Sequence, residues 1–473
     1  MARILMAASE ASPFAKTGGL ADVLGALPPE LARQGHEVAV LIPRYRSVPM
    51  DGATRVADPF PVWFDGHSVP AIVWRRERNG VPYFFLDVPS LFDRDGLYGG
   101  RGGDYPDNAA RFGFFSRAVL EVARSLFRPQ ILHCHDWQTG LVPAYLRGML
   151  ARDPTFAAVR TLFTIHNLGY QGRFLMSDWR MLGLEPRQLG TYGVEFFGDI
   201  SFLKAGIFYT DAVSTVSPGY AREIQTPEYG FGLDGLLRAR ADSLFGIVNG
   251  VDYQEWNPGT DPHIAAHYSA TDLEGKRVCK RDLLDTFGLP VDDVASPLIG
   301  LVTRFAEQKG IDLIREAAGA LVEAEVLFTI LGSGEPEDEQ FFMDLAERHP
   351  RSVGVRVGYD NPLAHKIEAG SDMFLMPSRY EPCGLNQIYS LRYGTLPIVR
   401  ATGGLDDTIR EGTGFKFWEY SGAALLDAIR LALETYRDPE RWTAMMRNAM
   451  REDFSWRHSA GEYSLLYQKL LEG

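Results

Sequence analysis

Short runs of β-branched and apolar residues, each followed by a stretch with helical periodicity, recur along this chain, and the series starts twice. The first series comprises Ile4 to Ala8, Glu37 to Ile42, Ile131 to His135, Thr161 to Thr164 and Ala212 to Val216. The second comprises Leu298 to Thr303, Val326 to Leu331, Gly354 to Val357, Met373 to Met376 and Leu396 to Val399. Runs of this kind separated by helices predict parallel strands with helical crossovers, the α/β doubly wound class. Helices are expected from Leu20 to Gln34 and from about Gly310. Such sheets bind ligands at the carboxyl ends of their strands, so the residues that follow each run matter most.

The restart implies two domains, and a length of 473 residues exceeds what one hydrophobic core usually holds. Between the two series, Tyr253 to Pro297 is rich in Pro, Asp and Gly and weakly periodic. The expected division is therefore residues 1–245 and 246–455.

Composition removes several function classes. A formal net charge of -13 disfavours nucleic acid as a partner, because phosphate backbones attract basic faces. No apolar run approaches the roughly 18 residues of a membrane span, and Met1 to Glu10 is too short an apolar run for a secretory leader. The cysteines Cys134, Cys279 and Cys383 are scattered without metal-type spacing, which fits a reducing compartment. The expected address is the cytoplasm. GxSxG, HExxH and CxxC are all absent.

Four segments at predicted strand ends carry chemistry. In Lys16-Thr17-Gly18-Gly19-Leu20, two glycines before a helix let backbone amides approach an anion, and Lys16 adds charge. A structural turn accounts for that segment equally well. Arg304 and Lys309, at the end of the first strand of the second series, are two cations suited to a leaving diphosphate without a metal, or else ordinary surface charges on a solvated loop. In Ser378-Arg379-Tyr380-Glu381-Pro382-Cys383-Gly384-Leu385, Glu381 is a carboxylate suited to sugar hydroxyls or developing positive charge, or a helix-start acid answering the dipole. In the first series Asp136 and His166 each follow a strand. The alternating His133 and His135 lack a third ligand at metal spacing, so core histidines are the better reading. Asn249-Gly250 sits at the domain junction, where a turn alone explains it.

Taken together, the segments resemble the glycogen and starch synthase family that uses ADP-glucose. The resemblance is carried in order by KTGGLADV from Lys16, HDW from His135, THNLGYQG from Thr164 and STVSPGYAREI from Ser214. It continues with VNGVD from Val248, TRFAEQKG from Thr303, SRYEPCGL from Ser378 and YGTLPIVRATGGL from Tyr393. It implies a GT-B glycosyltransferase: two Rossmann-like domains facing across a deep cleft, with a C-terminal helix, 456–473, crossing back to the first. The implied reaction is retaining transfer of glucose from ADP-glucose to the 4-hydroxyl end of an α-1,4-glucan, with neither metal nor other cofactor.

The resemblance also implies roles. Lys16, Gly18 and Gly19 line the phosphate side, and Arg304 and Lys309 stabilise the leaving diphosphate. Asp136, His166, Asn249, Glu381, Cys383 and Gly384 surround the transferred glucose, Leu385 joins the nucleotide-sugar contacts, and Tyr359 lies beside the base. Two departures from the family pattern stand out: Asn386 replaces a frequent Thr, and Met373 occupies a position where related transferases often carry a Glu. An α-glucan phosphorylase, which would need a pyridoxal phosphate lysine, and an inactive glucan-binding protein are the competing readings. The first has no supporting motif, and the second would be expected to have lost charged residues, whereas Lys16, Arg304, Lys309 and Glu381 are all present. The sequence is silent on oligomeric state.

Overall fold

The computed structural model describes every residue except 57, 58, 101, 102, 325 and 473. The chain divides into two compact units: Met1–Val216 with Ala221–Gly250 and Trp456–Gly473, and Ser217–Tyr220 with Val251–Ser455.

The first unit is built on one large sheet, in the order Leu244–Gly246, Ala212–Thr215, Arg160–Ile165, Ile131–His135, Arg3–Ala7, Glu37–Pro43, Val81–Asp87, His67–Arg78, Thr54–Arg55. Its first seven strands pair in parallel. Most are rich in apolar residues and largely buried, and Ile131–His135 is buried along its whole length. The strand order reverses between Arg3–Ala7 and Ile131–His135, which makes their carboxyl ends the switch point. The two-sided end of the sheet is an antiparallel extension formed by Phe60–Phe64, His67–Arg78 and Val81–Asp87. Its local signals are Asp65-Gly66 and Asn79-Gly80, each pair at positive φ, which suits two-residue hairpin turns.

The last helix, Trp456–Glu472, belongs to this unit; Gly473, the end of the expected segment, lies outside the described residues. Ser459 Oγ donates to Val248 O at 2.6 Å, and Tyr467 OH meets His133 Nδ1 at 2.8 Å beneath the sheet. Gly250 is obligatory here, since an added Cβ would lie 2.5 Å from the Trp456 Cα.

The second unit carries a six-stranded all-parallel sheet in the order Val353–Val357, Leu327–Gly334, Leu298–Phe305, Met373–Met376, Leu396–Arg400, Phe415–Phe417. Ile299, Leu301, Ile330, Leu375 and Ile398 form its core against helices Ile311–Glu323 and Gly422–Tyr436. Order reverses between Leu298–Phe305 and Met373–Met376. Within the weakly periodic 253–297 stretch, Glu274–Phe287 is a 14-residue helix, held by buried Lys276 and Lys280. Lys280 Nζ pairs with Asp372 Oδ2 at 2.6 Å.

Candidate active site

In the second unit the two strands flanking the switch point deliver their loops to one place. The chain leaves Phe305 through the short 3₁₀ turn Glu307–Lys309, and leaves Met376 through 377–385. Backbone and side-chain hydrogen bonds join the loops: Arg379 N donates to Gln308 O at 2.8 Å and Gln308 Nε2 to Tyr380 O at 3.1 Å. Gly310 makes the approach possible. It holds φ +70, and a Cβ there would lie 2.1 Å from Pro377 O.

Across this seam Lys309 Nζ donates to Glu381 Oε2 at 2.6 Å, with side-chain exposures of 17% and 8%. Ser378 Oγ donates to the same oxygen at 3.1 Å. Oε1 of Glu381 accepts from no described residue. The arrangement holds a carboxylate in fixed orientation with one oxygen open, beside an ammonium that still reaches solvent. Arg304 is exposed, and its guanidinium pairs with no described residue.

Cys383 is buried and Gly384 takes φ +70, delivering Leu385 as the N-cap of helix Asn386–Tyr393. Helix N-termini present unpaired amides, so this end favours anions. Gln387, whose role the sequence did not signal, braces the turn: its Nε2 donates to Cys383 O at 2.9 Å and Gly384 O at 3.1 Å. Gly404 packs on the same turn, its N–H donating to Glu381 O at 3.0 Å. Asn386 Nδ2 donates to Val302 O at 2.7 Å, so this side chain ties the helix to the central strand. Tyr359 follows the edge strand Val353–Val357, is 82% exposed, and touches Asn361 Oδ1 through its hydroxyl at 3.3 Å.

In the first unit, Asp136 and His166 are brought together at the ends of adjacent strands. His166 N donates to Asp136 Oδ1 at 2.7 Å, and His166 Nε2 lies 3.0 Å from His135 Nδ1. Asp136 sits at φ 56 and ψ -179, a conformation nearly reserved for glycine. Burial pushes its carboxyl up to about 7, against the pull of the His166 and Asn167 amides. Burial drives His166 down to about 3 and holds His133 and His135 well below the ordinary value, so all three imidazoles are neutral near pH 7. His133 bonds Tyr467 and Thr164, a structural role as expected for a core histidine. Asn249 is buried, and its Oδ1 has no partner among the described residues, an acceptor suited to a hydroxyl.

The glycine turn differs from a simple anion cradle. Buried Glu10, just past the first strand, already accepts from Thr17 N at 2.5 Å, Thr17 Oγ1 at 2.6 Å and Gly18 N at 3.2 Å. Tyr98 OH donates at 2.5 Å to Oε1, the oxygen that Thr17 Oγ1 also engages. That leaves Gly19, the first residue of helix Gly19–Arg33, as the glycine whose N–H donates to no described residue, with open space where a Cβ would be. Lys16 is half exposed and pairs with Asp22 at 2.6 Å. Glu10 went unnoticed in the sequence because nothing in a lone acid six residues before a turn announces it. Among the described residues no group of three or more His, Cys, Asp or Glu is arranged to hold a metal.

Residues 3–239 match the family model described as starch synthase catalytic domain, and residues 292–449 match glycosyl transferases group 1. The chain is 52% identical to a glycogen synthase of Koribacter versatilis, covering 98% of each. It is 50% identical to one from Anaeromyxobacter dehalogenans, covering both completely. Among solved structures it matches the catalytic domain of Starch Synthase IV from Arabidopsis thaliana bound to ADP and acarbose, with TM-score 0.92, 34% identity and full coverage of both chains. A sucrose-phosphate synthase from Thermosynechococcus elongatus shares the fold, with TM-score 0.62 at 18% identity over 99% of each chain.

Proposed function

The chain belongs to the glycogen and starch synthase family of GT-B glycosyltransferases, and from that premise we propose that it extends an α-1,4-glucan with glucose from ADP-glucose, with retention at the anomeric carbon. The observation that carries this reading is the Lys309–Glu381 pair at the switch point of the second sheet, with Arg304 on the same strand end.

Transfer breaks the bond from the anomeric carbon to the diphosphate and forms one to the acceptor's 4-oxygen. Negative charge builds on the departing ADP. Arg304 and Lys309 meet that charge directly, so the residues themselves can supply the stabilisation a metal gives elsewhere, and we assign no metal or cofactor. The departing phosphate oxygen takes the proton of the acceptor hydroxyl, which leaves charge balanced as ADP is released. Glu381 accepts from the 3-hydroxyl of the transferred glucose through Oε1. Cys383, Gly384 and Leu385 offer backbone groups, and Tyr359 stacks on the base. In the first unit, Lys16 with the Gly19 amide suits an anion, and Asp136, neutral His166 and Asn249 offer groups suited to sugar hydroxyls. Catalysis is then positioning and fixed charge. The buried, unbridged cysteines fit a cytoplasmic setting.

Among the described residues no helix is long and apolar enough to cross a membrane.

The test is incorporation of labelled glucose into glycogen from ADP-glucose and, side by side, from UDP-glucose. Incorporation from ADP-glucose that α-amylase then releases supports the reading. No incorporation from either donor rejects it, and preference for UDP-glucose rejects the assigned base.

A further inference from the structure

In the turn that carries Glu381, four consecutive carbonyls are all held by donors of the same unit. Glu381 O accepts from Gly404 N at 3.0 Å, and Pro382 O from the buried Ser217 Oγ at 2.6 Å. Cys383 O and Gly384 O both accept from Gln387 Nε2, at 2.9 Å and 3.1 Å. These peptide bonds are trans, so the C=O and the N–H of one peptide unit point in opposite directions. Turning the Cys383 and Gly384 carbonyls toward Gln387 therefore turns the Gly384 and Leu385 N–H groups away from it. Neither N–H donates to a described residue, and both residues are partly exposed, whereas Cys383 and Gln387 are buried.

The chemistry of Gln387 suits this task. It lies in the first turn of helix Asn386–Tyr393, has no exposed surface, and also donates to Thr408 Oγ1 at 3.1 Å. Thr408 directs its own hydrogen to Gly404 O at 2.6 Å, so its oxygen is an acceptor toward Gln387. Three acceptors thus surround one nitrogen, whose two hydrogens serve all three, and the amide oxygen cannot take the nitrogen's place. A carboxylate of the same outline would set an oxygen against those acceptors. Gln387 Oε1, in turn, is buried without a partner among the described residues. An unsatisfied buried oxygen lowers stability, which points to a role beyond packing.

We infer that Gln387 is a positioning residue for the donor's diphosphate: by holding the Cys383 and Gly384 carbonyls it aims the Gly384 and Leu385 N–H groups at the phosphate oxygens. The inference rests on the nucleotide-sugar reading above and adds to it what keeps the neutral part of the phosphate site in shape. Arg304 and Lys309 supply charge, and the two amides supply direction. Peptide dipoles fixed from behind need no rearrangement as charge builds on the departing diphosphate.

The experiment measures ADP and adenosine affinity, together with donor and glycogen kinetics, in the full chain as wild type, Gln387→Met, Gln387→Glu and Thr408→Val. Gln387→Met keeps the length of the side chain without its hydrogens. It should weaken ADP about 10–30-fold and lower kcat about 10-fold, with adenosine affinity and glycogen KM within about twofold. Gln387→Glu should show a larger loss of the same kind. Thr408→Val removes one acceptor that sets the direction of the amide, so it should show the pattern at about 2–5-fold. A packing role alone would weaken ADP and adenosine alike, and that result overturns the inference, as does unchanged ADP affinity in a folded Gln387 variant. If both Gln387 variants fail to fold, a diphosphate-specific loss in Thr408→Val upholds it and normal ADP affinity there overturns it. No ADP binding by wild type would remove the donor reading itself, whereas intact wild-type binding with indifferent variants removes only the role of Gln387.

Discussion

Lys309 Nζ lies 2.6 Å from Glu381 Oε2, joining the two loops that leave the second sheet on either side of its strand-order reversal. The lysine thus fixes the carboxylate while part of its side chain still reaches solvent. Lys309→Ala should lower kcat about 10²–10³-fold, as deletion of a transition-state donor does elsewhere. Arg304→Ala should do the same with no loss of stability, since the Arg304 guanidinium pairs with no described residue. Glu381→Ala should reduce kcat more than it weakens ADP binding. Steady-state rates with calorimetric ADP affinity check all three, and near-wild-type kcat in both cation variants would remove the leaving-group role.

Gly310→Ala tests the seam itself. The new methyl group would meet Pro377 O at 2.1 Å in a left-handed backbone conformation. A backbone clash added to that strain should destabilise the second unit by about 2–4 kcal/mol. Thermal unfolding should show the loss as a drop of several degrees, with donor affinity reduced alongside. An unshifted transition would mean that the loops are free to separate.

Asp136 ionises near pH 7 because burial outweighs the amides that donate to it. Its ionised form is the better acceptor for a sugar hydroxyl, so kcat/KM should rise as pH increases through about 7. Asp136→Asn should be slower and should lack that inflection. A variant that keeps the wild-type pH profile would assign the inflection to another group.

His133, His135 and His166 make the fold acid-sensitive. Their folded values lie below the unfolded value of 6.5, so the unfolded chain binds more protons as pH falls from there. Their stabilising contribution is complete above 6.5 and declines toward about 3, the folded value of His166. Denaturant titrations at pH 7, 6 and 5 should show stability decreasing, with a slope reduced in His133→Gln. Equal stability at pH 7 and 5 would contradict the burial argument.

Much of this architecture was legible from residues alone. Ile131 to His135 and Met373 to Met376 coincide with the observed strands, because strands buried on both faces spell continuous apolar runs. The polar and glycine-bearing segments after those runs were legible for the same reason: strand ends in such sheets are where such residues gather. The antiparallel extension was harder, since His67–Arg78 is half exposed and ends in four consecutive charged residues, Arg75 to Arg78. Helix Glu274–Phe287 was hidden by its lysines and arginines, two of which are buried only because tertiary acceptors exist for them. Glu10 and Gln387 could not be read at all. Their significance lies in backbone amides and carbonyls they meet across space, which leave no periodic trace.

Glu10 carries one further implication. A carboxylate planted at the end of a central strand already satisfies the Thr17 and Gly18 amides, so the turn inherits the stiffness of the sheet. If the proposed phosphate contact at Gly19 holds, the ligand would meet a surface whose shape is set beforehand, and little disorder would have to be surrendered on its arrival.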